Sequence, residues 1–143
     1  MWWRGLARAR LRLDDEALLD FGRVLGQQPK FFDARIERCT IFSRREDHTA
    51  AKREMDLAKD AQDAYIQLAR ADYYLACHAV EEAKAAADMT IRLEPANSAG
   101  WLALAHARYR LNQRDDAIDD ARRARDLGAQ DSLIDQLLAT GED

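Results

Sequence analysis

The sequence is poor in the residues that small folds most often use to restrain a chain. Two cysteines in 143 residues, Cys39 and Cys77, give no basis for a disulfide scaffold. Zinc asks for four ligands in close pairs, and Cys39, Cys77, His48, His78 and His106 make only the adjacent Cys77-His78, so no metal is expected. Six scattered glycines offer no phosphate-cradling loop. The three serines, Ser43, Ser98 and Ser132, lack the glycine-flanked setting of an activated nucleophile, so no catalytic group and no cofactor is expected. Long apolar runs are missing as well; nothing approaches the roughly 20 residues of a membrane span. Neither sign of charge dominates. Twenty-two basic residues face 26 acidic ones, a net charge of −4, which argues against a nucleic-acid-binding surface.

What the chain does have is charge and apolar side chains together, 34% and 48% of its residues. That mixture suits amphipathic helices with solvated outer faces. An internal period organises them. Alanines preceded by polar or small residues recur at Ala17, Ala51, Ala83 and Ala117, spaced 34, 32 and 34 residues apart. Four residues beyond each lie Phe21, Met55, Ala87 and Ala121, and three further on Val24, Ala58, Thr90 and Ala124. Twelve residues before each comes a small residue: Gly5, Cys39, Ala71 or Ala105. Pro29 and Pro95 close two of the copies, 66 residues apart.

Each copy divides into two helical stretches. In the fourth, Trp101, Leu104, Ala105 and Arg108 follow the i, i+3, i+4, i+7 pattern of one helix face. The periodicity predicts helices near 2–13, 15–27, 31–44, 48–61, 64–77, 80–93, 97–111 and 115–127. Asp14, Asp47 and Asn112 are expected to cap second helices, and Asp131 a short tail helix over 131–140. The acidic runs Asp14-Asp15-Glu16, Asp115-Asp116 and Asp119-Asp120 read as solvated helix starts, favoured by the helix dipole.

These columns resemble the tetratricopeptide repeat (TPR) family, whose unit is a 34-residue helix–turn–helix. Trp101-x2-Leu104-Ala105 followed by Ala117-x3-Ala121-x2-Ala124 carries the likeness best, with Gly5, Ala17, Phe21, Val24 and Pro29 next. Arg4, Arg38 and Arg70 depart from it, standing where Leu is usual. The resemblance implies an all-α, right-handed solenoid of four repeats, about 1–29, 30–63, 64–95 and 96–129, with 131–140 capping the last. It forms a single domain on that reading, and Thr140 to Asp143 fray. The arginine column is expected to reach carboxylates on the second helices, with Asp20, Glu54 and Glu82 as partners.

The same resemblance implies a non-enzymatic module that holds a peptide or helix in a concave groove lined by first helices. The first copy contributes Trp2, Trp3, Leu6 and Arg10. Ile36 and Arg44 come from the second. Tyr65, Leu68 and Asp72 come from the third, and Leu102, His106, Tyr109 and Arg110 from the fourth. The clamp that this family uses for chaperone C-terminal carboxylates needs cations at set points. One alignment puts Trp2, Leu6, Glu37, Tyr65 and Ala69 there, the other Ile36, Thr40, Ala69, Ala99 and Ala103, so that ligand is not expected. An alternative is an assembly part that self-associates through an uncapped N-terminal end, where Trp2 and Trp3 sit one residue apart and face about 100° apart. A scaffold piece of a larger protein is a third. The basic, acid-free stretch up to Asp14 is in register with later copies, so it reads as a repeat helix rather than a targeting segment. No export signal is visible, and cytoplasm is the expected location.

Overall fold

The computed structural model describes residues 1–141; Glu142 and Asp143, the end of the expected frayed tail, lie outside it. Among the described residues every regular element is a helix. The chain forms two compact units, Met1–Ala61 and Gln62–Asp143. The first holds α1 (Trp2–Arg10), α2 (Asp14–Gln27), α3 (Phe32–Arg44) and α4 (His48–Asp56). The second holds α5 (Ala64–Ala76), α6 (Val80–Leu93), α7 (Ser98–Arg110), α8 (Arg114–Asp126) and α9 (Ser132–Gly141). α1 packs on α2, α3 on α4, α5 on α6 and α7 on α8, one pair for each sequence copy.

Every aligned position of the four recurring columns is buried, which is why they recur. Ala17, Ala51, Ala83 and Ala117 are inaccessible to solvent, and Gly5, Cys39, Ala71 and Ala105 are buried on the partner helices. Small side chains there let two backbones approach. A Cβ added at Gly5 would lie 2.7 Å from the Phe21 ring. Larger residues fill the flanks. In the N-terminal unit Phe21, Val24, Leu25 and Ile41 form the core with Trp2, Leu6, Leu18 and Phe31 at its edge. In the C-terminal unit α9 lays Leu133, Ile134, Leu137 and Leu138 over Ala105, Ala117, Ala121 and Ala124, while Asp135 and Gln136 face water. It therefore caps the last pair, and it runs through Thr140 and Gly141 rather than fraying there.

The turns inside the pairs repeat as strictly as the core. Arg12, Glu46, His78 and Asn112 all have φ of 60–62°, at the same 34, 32, 34 spacing. After each, a backbone N–H closes the helix: Leu13 donates to the Arg8 carbonyl, Asp47 to Phe42, Ala79 to Tyr74 and Gln113 to Arg108, each at 2.9 Å. This is the left-handed helix stop usually built on glycine. Three of the four copies adopt it without a glycine or asparagine, against a local cost of about 1 kcal/mol.

That geometry corrects several sequence expectations. α1 stops at Arg10, because the left-handed Arg12 ends it before residue 13. Asn112 occupies the left-handed position instead of capping, and Gln113 is the residue that precedes α8. Asp14 lies inside the first turn of α2, where Arg44 binds its carboxylate and holds its pKa below the ordinary range. Asp47 does cap α4, accepting from the Ala50 N–H at 3.1 Å. α4 itself ends at Asp56, and turns carry the buried Ala58 and Ala61 beyond it. Asp63 and Asn97 cap α5 and α7, accepting from Tyr65 and Gly100 respectively.

Candidate functional site

The site follows from which face of the first helices the core leaves uncovered. On α5 and α7 the small residues Ala71 and Ala105 point at the second helices. Leu68 and Leu102, three residues earlier in each helix, lie at the edge of the core and keep partial exposure. One residue after the small positions come Asp72 and His106, and four after come Leu75 and Tyr109. The two helices lie beside each other, tied where the Arg110 guanidinium donates to the Leu75 carbonyl near the end of α5 at 2.6 Å. Tyr65 opens the strip at 63% exposure and Tyr109 stands at 44%.

Asp72 and His106 occupy the same register position on neighbouring helices. The surrounding protein pushes the Asp72 carboxyl above the usual carboxylate range, and the nearby His106 pulls it back. Desolvation therefore acts on Asp72 even though its side chain still meets solvent. His106 Nε2 lies 3.2 Å from Asp131 Oδ1, and the same oxygen accepts from the Leu133 N–H that opens α9. Asp131, expected only as a cap, is thus part of this surface. The structure brings together Tyr65, Leu68, Asp72, Leu102, His106, Tyr109 and Arg110 within the C-terminal unit.

In the N-terminal unit the expected positions are distributed differently. The Trp2 ring packs against Phe31 and Phe21, at centroid distances of 4.9 and 5.5 Å, and Leu6 joins the same cluster. Trp3 points away and is 78% exposed. Arg44 is held by the Asp14 carboxylate and by the Ala9 carbonyl, to which it donates at 3.1 Å. Ile36 is half-buried and Arg10 exposed. Burial raises the Glu37 carboxyl, which Arg10 and Arg44 oppose.

The arginine column resolves into a set of internal ion pairs. Arg4 donates to both Asp20 oxygens at 2.7 and 3.0 Å, and Arg8 adds a bond at 2.7 Å. Arg35 and Arg38 hold Glu54 at 3.0 and 2.9 Å. Asp120, by contrast with the solvated helix start expected of it, is buried and held by Arg108 at 2.9 and 3.0 Å. These acids sit three residues after Ala17, Ala51 and Ala117. In the third copy that position is Ala86, so Arg70 bonds to Gln67 at 2.7 Å and lies over the Tyr74 ring; the expected partner Glu82 is exposed and out of register. The recurring acid opposite an arginine was the signal available for Asp120.

Paired helices repeating on one register define an all-α helical-repeat protein. No family model and no curated protein matches the chain. Solved structures do. A crystal structure of MamA aligns over 87% of this chain and 74% of its own, at 13% identity and a TM-score of 0.72. A MamA fragment from Desulfovibrio magneticus RS-1 aligns over 88% and 72%, at 19% identity and a TM-score of 0.69. TTC0263, a thermophilic TPR protein in Thermus thermophilus, aligns over 96% and 78%, at 18% identity and a TM-score of 0.63. The chain has the tetratricopeptide-repeat fold, a helical-repeat solenoid. None of its described helices is long and apolar enough to cross a membrane.

Proposed function

We propose that this chain is a non-enzymatic protein-interaction module that holds a peptide or helical segment of a partner on the α5–α7 face. The observation that carries the reading is the pair of exposed tyrosines, Tyr65 and Tyr109, flanking the half-buried Leu68 and Leu102 on adjacent first helices. Tyrosines on a rigid helical platform supply large contact area at little entropic cost, and such residues carry most of the binding energy at protein interfaces. Arg110 is positioned at the same end of the strip. Arg44 and Trp2 have contacts within their own unit that account for them. The full chain, used as bait against a displayed peptide library, is expected to recover a ligand that Tyr65→Ala combined with Tyr109→Ala weakens at least about tenfold. An affinity unchanged by that pair of substitutions would place the interaction elsewhere.

A specific observation also favours self-association. Trp3 and Ala7 are exposed on α1, whereas Ala103 and Ala107, at the same register positions on α7, are 4% and 0% exposed. In the C-terminal unit α6 and α7 pack together and bury that face. A large exposed aromatic on it is the kind of patch that marks a contact. Sedimentation at tens of micromolar is expected to show association that Trp3→Ser removes without loss of helicity. A wild-type monomer across that range would discard this second reading.

A further inference from the structure

We infer that the α5–α7 face selects a segment bearing a lysine or arginine side chain, which Asp72 receives between Tyr65 and Tyr109; this rests on the proposed interaction surface. Asp72 stands near the middle of the strip, one turn beyond Leu68, and among the described residues no lysine or arginine forms an ion pair with it. The side chain that draws its carboxyl back down is His106, which lies 3.2 Å from Asp131. Arg110, on the same face, is engaged with the Leu75 carbonyl. Glu37, on α3 of the N-terminal unit, by contrast has Arg10 and Arg44 in range.

Asp72 is solvent-accessible and without a cation, and a segment laid over it would exclude water and strengthen its attraction to an incoming charge. The wider field acts in the same direction. The segment 62–143 contains nine basic and fifteen acidic residues, so a cationic partner is drawn to it and an acidic one repelled. The two exposed tyrosine rings add faces on which a cationic head or its methylene stem can rest. An acidic tail finds no unengaged cation on this strip; a basic one finds an acid, a second acid at Asp131, and apolar walls.

The test uses three labelled 15-residue peptides with the same Leu and Phe positions and three central Lys, Gln or Glu residues. Their binding to the full chain is followed by fluorescence anisotropy at pH 7.5 and physiological salt. The Lys peptide is expected to bind about five- to tenfold more tightly than the Gln peptide, and the Glu peptide most weakly. Asp72→Asn should erase the Lys-over-Gln preference while keeping the affinity for the Gln peptide, and Asp72→Lys should turn the preference towards Glu. Asp115→Asn with Asp116→Asn, on exposed positions of α8, should leave the preference in place. Equal binding of the Lys and Gln peptides, or a preference that survives Asp72→Asn, overturns the inference while leaving the interaction surface standing. If Tyr65→Ala with Tyr109→Ala changes the binding of no peptide, or if no peptide binds, the surface itself is wrong and the inference falls with it.

Discussion

Replacing Arg108 by Met is expected to destabilise the protein by about 3–5 kcal/mol at pH 8 and by much less at pH 4.5. Among the described residues Arg108 is the one arginine bonded to the buried Asp120 carboxylate. Even with it in place, burial raises the Asp120 pKa to about 6, Arg108 opposes that rise, and Asp116 and Asp88 add to it. An unfolded aspartate titrates near 3.9. The folded protein therefore holds the proton more tightly, so this group's stabilising contribution is full below about pH 4 and is lost as pH rises to about 6. Removing the guanidinium raises the folded pKa further and enlarges the loss at high pH. Where Asp120 already carries its proton, little is left for Arg108 to neutralise.

The equivalent acid of the first copy has the opposite sign. The Arg4 hydrogen bond lowers the Asp20 pKa, burial opposes it, and Arg8 reinforces it. Its contribution is present above the unfolded pKa and is lost as pH falls. Two carboxylates in one structural position thus have opposed pH dependences: Asp20 is held by Arg4 and Arg8 with Arg23 at 3.9 Å, whereas Asp120 pairs with Arg108 and feels Asp116 and Asp88 besides its burial. Thermal unfolding of the wild type, Arg108→Met and Arg108→Met/Asp120→Asn across pH 4.5–8 checks this. The double variant should recover most of the loss at pH 8. A penalty for Arg108→Met that is the same at both ends of the range would show that Arg108 acts through packing alone.

Ala117→Leu is expected to cost about 1–3 kcal/mol. Ala117 has no exposed surface and packs among Ala105, Ala121 and Ala124, themselves buried under α9. Three added carbons must part α7 from α8 or drive side chains from their rotamers. Ala85→Leu, at an exposed position on α6, is the control and should stay within about 0.5 kcal/mol. An unfolding midpoint equally insensitive to both would mean that the small-residue column is not where the helices meet.

Much of the architecture was legible because close packing admits few residue types. Gly5, Cys39, Ala71 and Ala105 differ chemically but share small volume, and that constraint survives in sequence at fixed spacing. The left-handed turns were not legible. Arg12, Glu46 and His78 carry no sign of positive φ, since the closing backbone bonds impose the conformation rather than the side chains. Asp120 departs from the expected solvated helix start for a related reason. An Asp-Asp pair early in a helix looks solvated until the facing Arg108 is placed, and whether one of the two turns inward depends on the partner helix. Glu82 is not the partner of Arg70 because it precedes Ala83, whereas Asp20 and Glu54 stand three residues after Ala17 and Ala51. The resemblance to the repeat family places the tyrosines and Asp72 on one face, but the uncompensated state of Asp72 needs the positions of its neighbours.

Mapping backbone amide shifts of the full chain, while titrating a ligand recovered from the peptide library, reads out whether the partner lies on α5 and α7. Changes are expected to concentrate around Tyr65, Leu68, Asp72, Leu102, His106 and Tyr109, extending to Asp131 at the start of α9. Changes confined to the outward faces of α6 and α8, with α5 and α7 unperturbed, would contradict that placement.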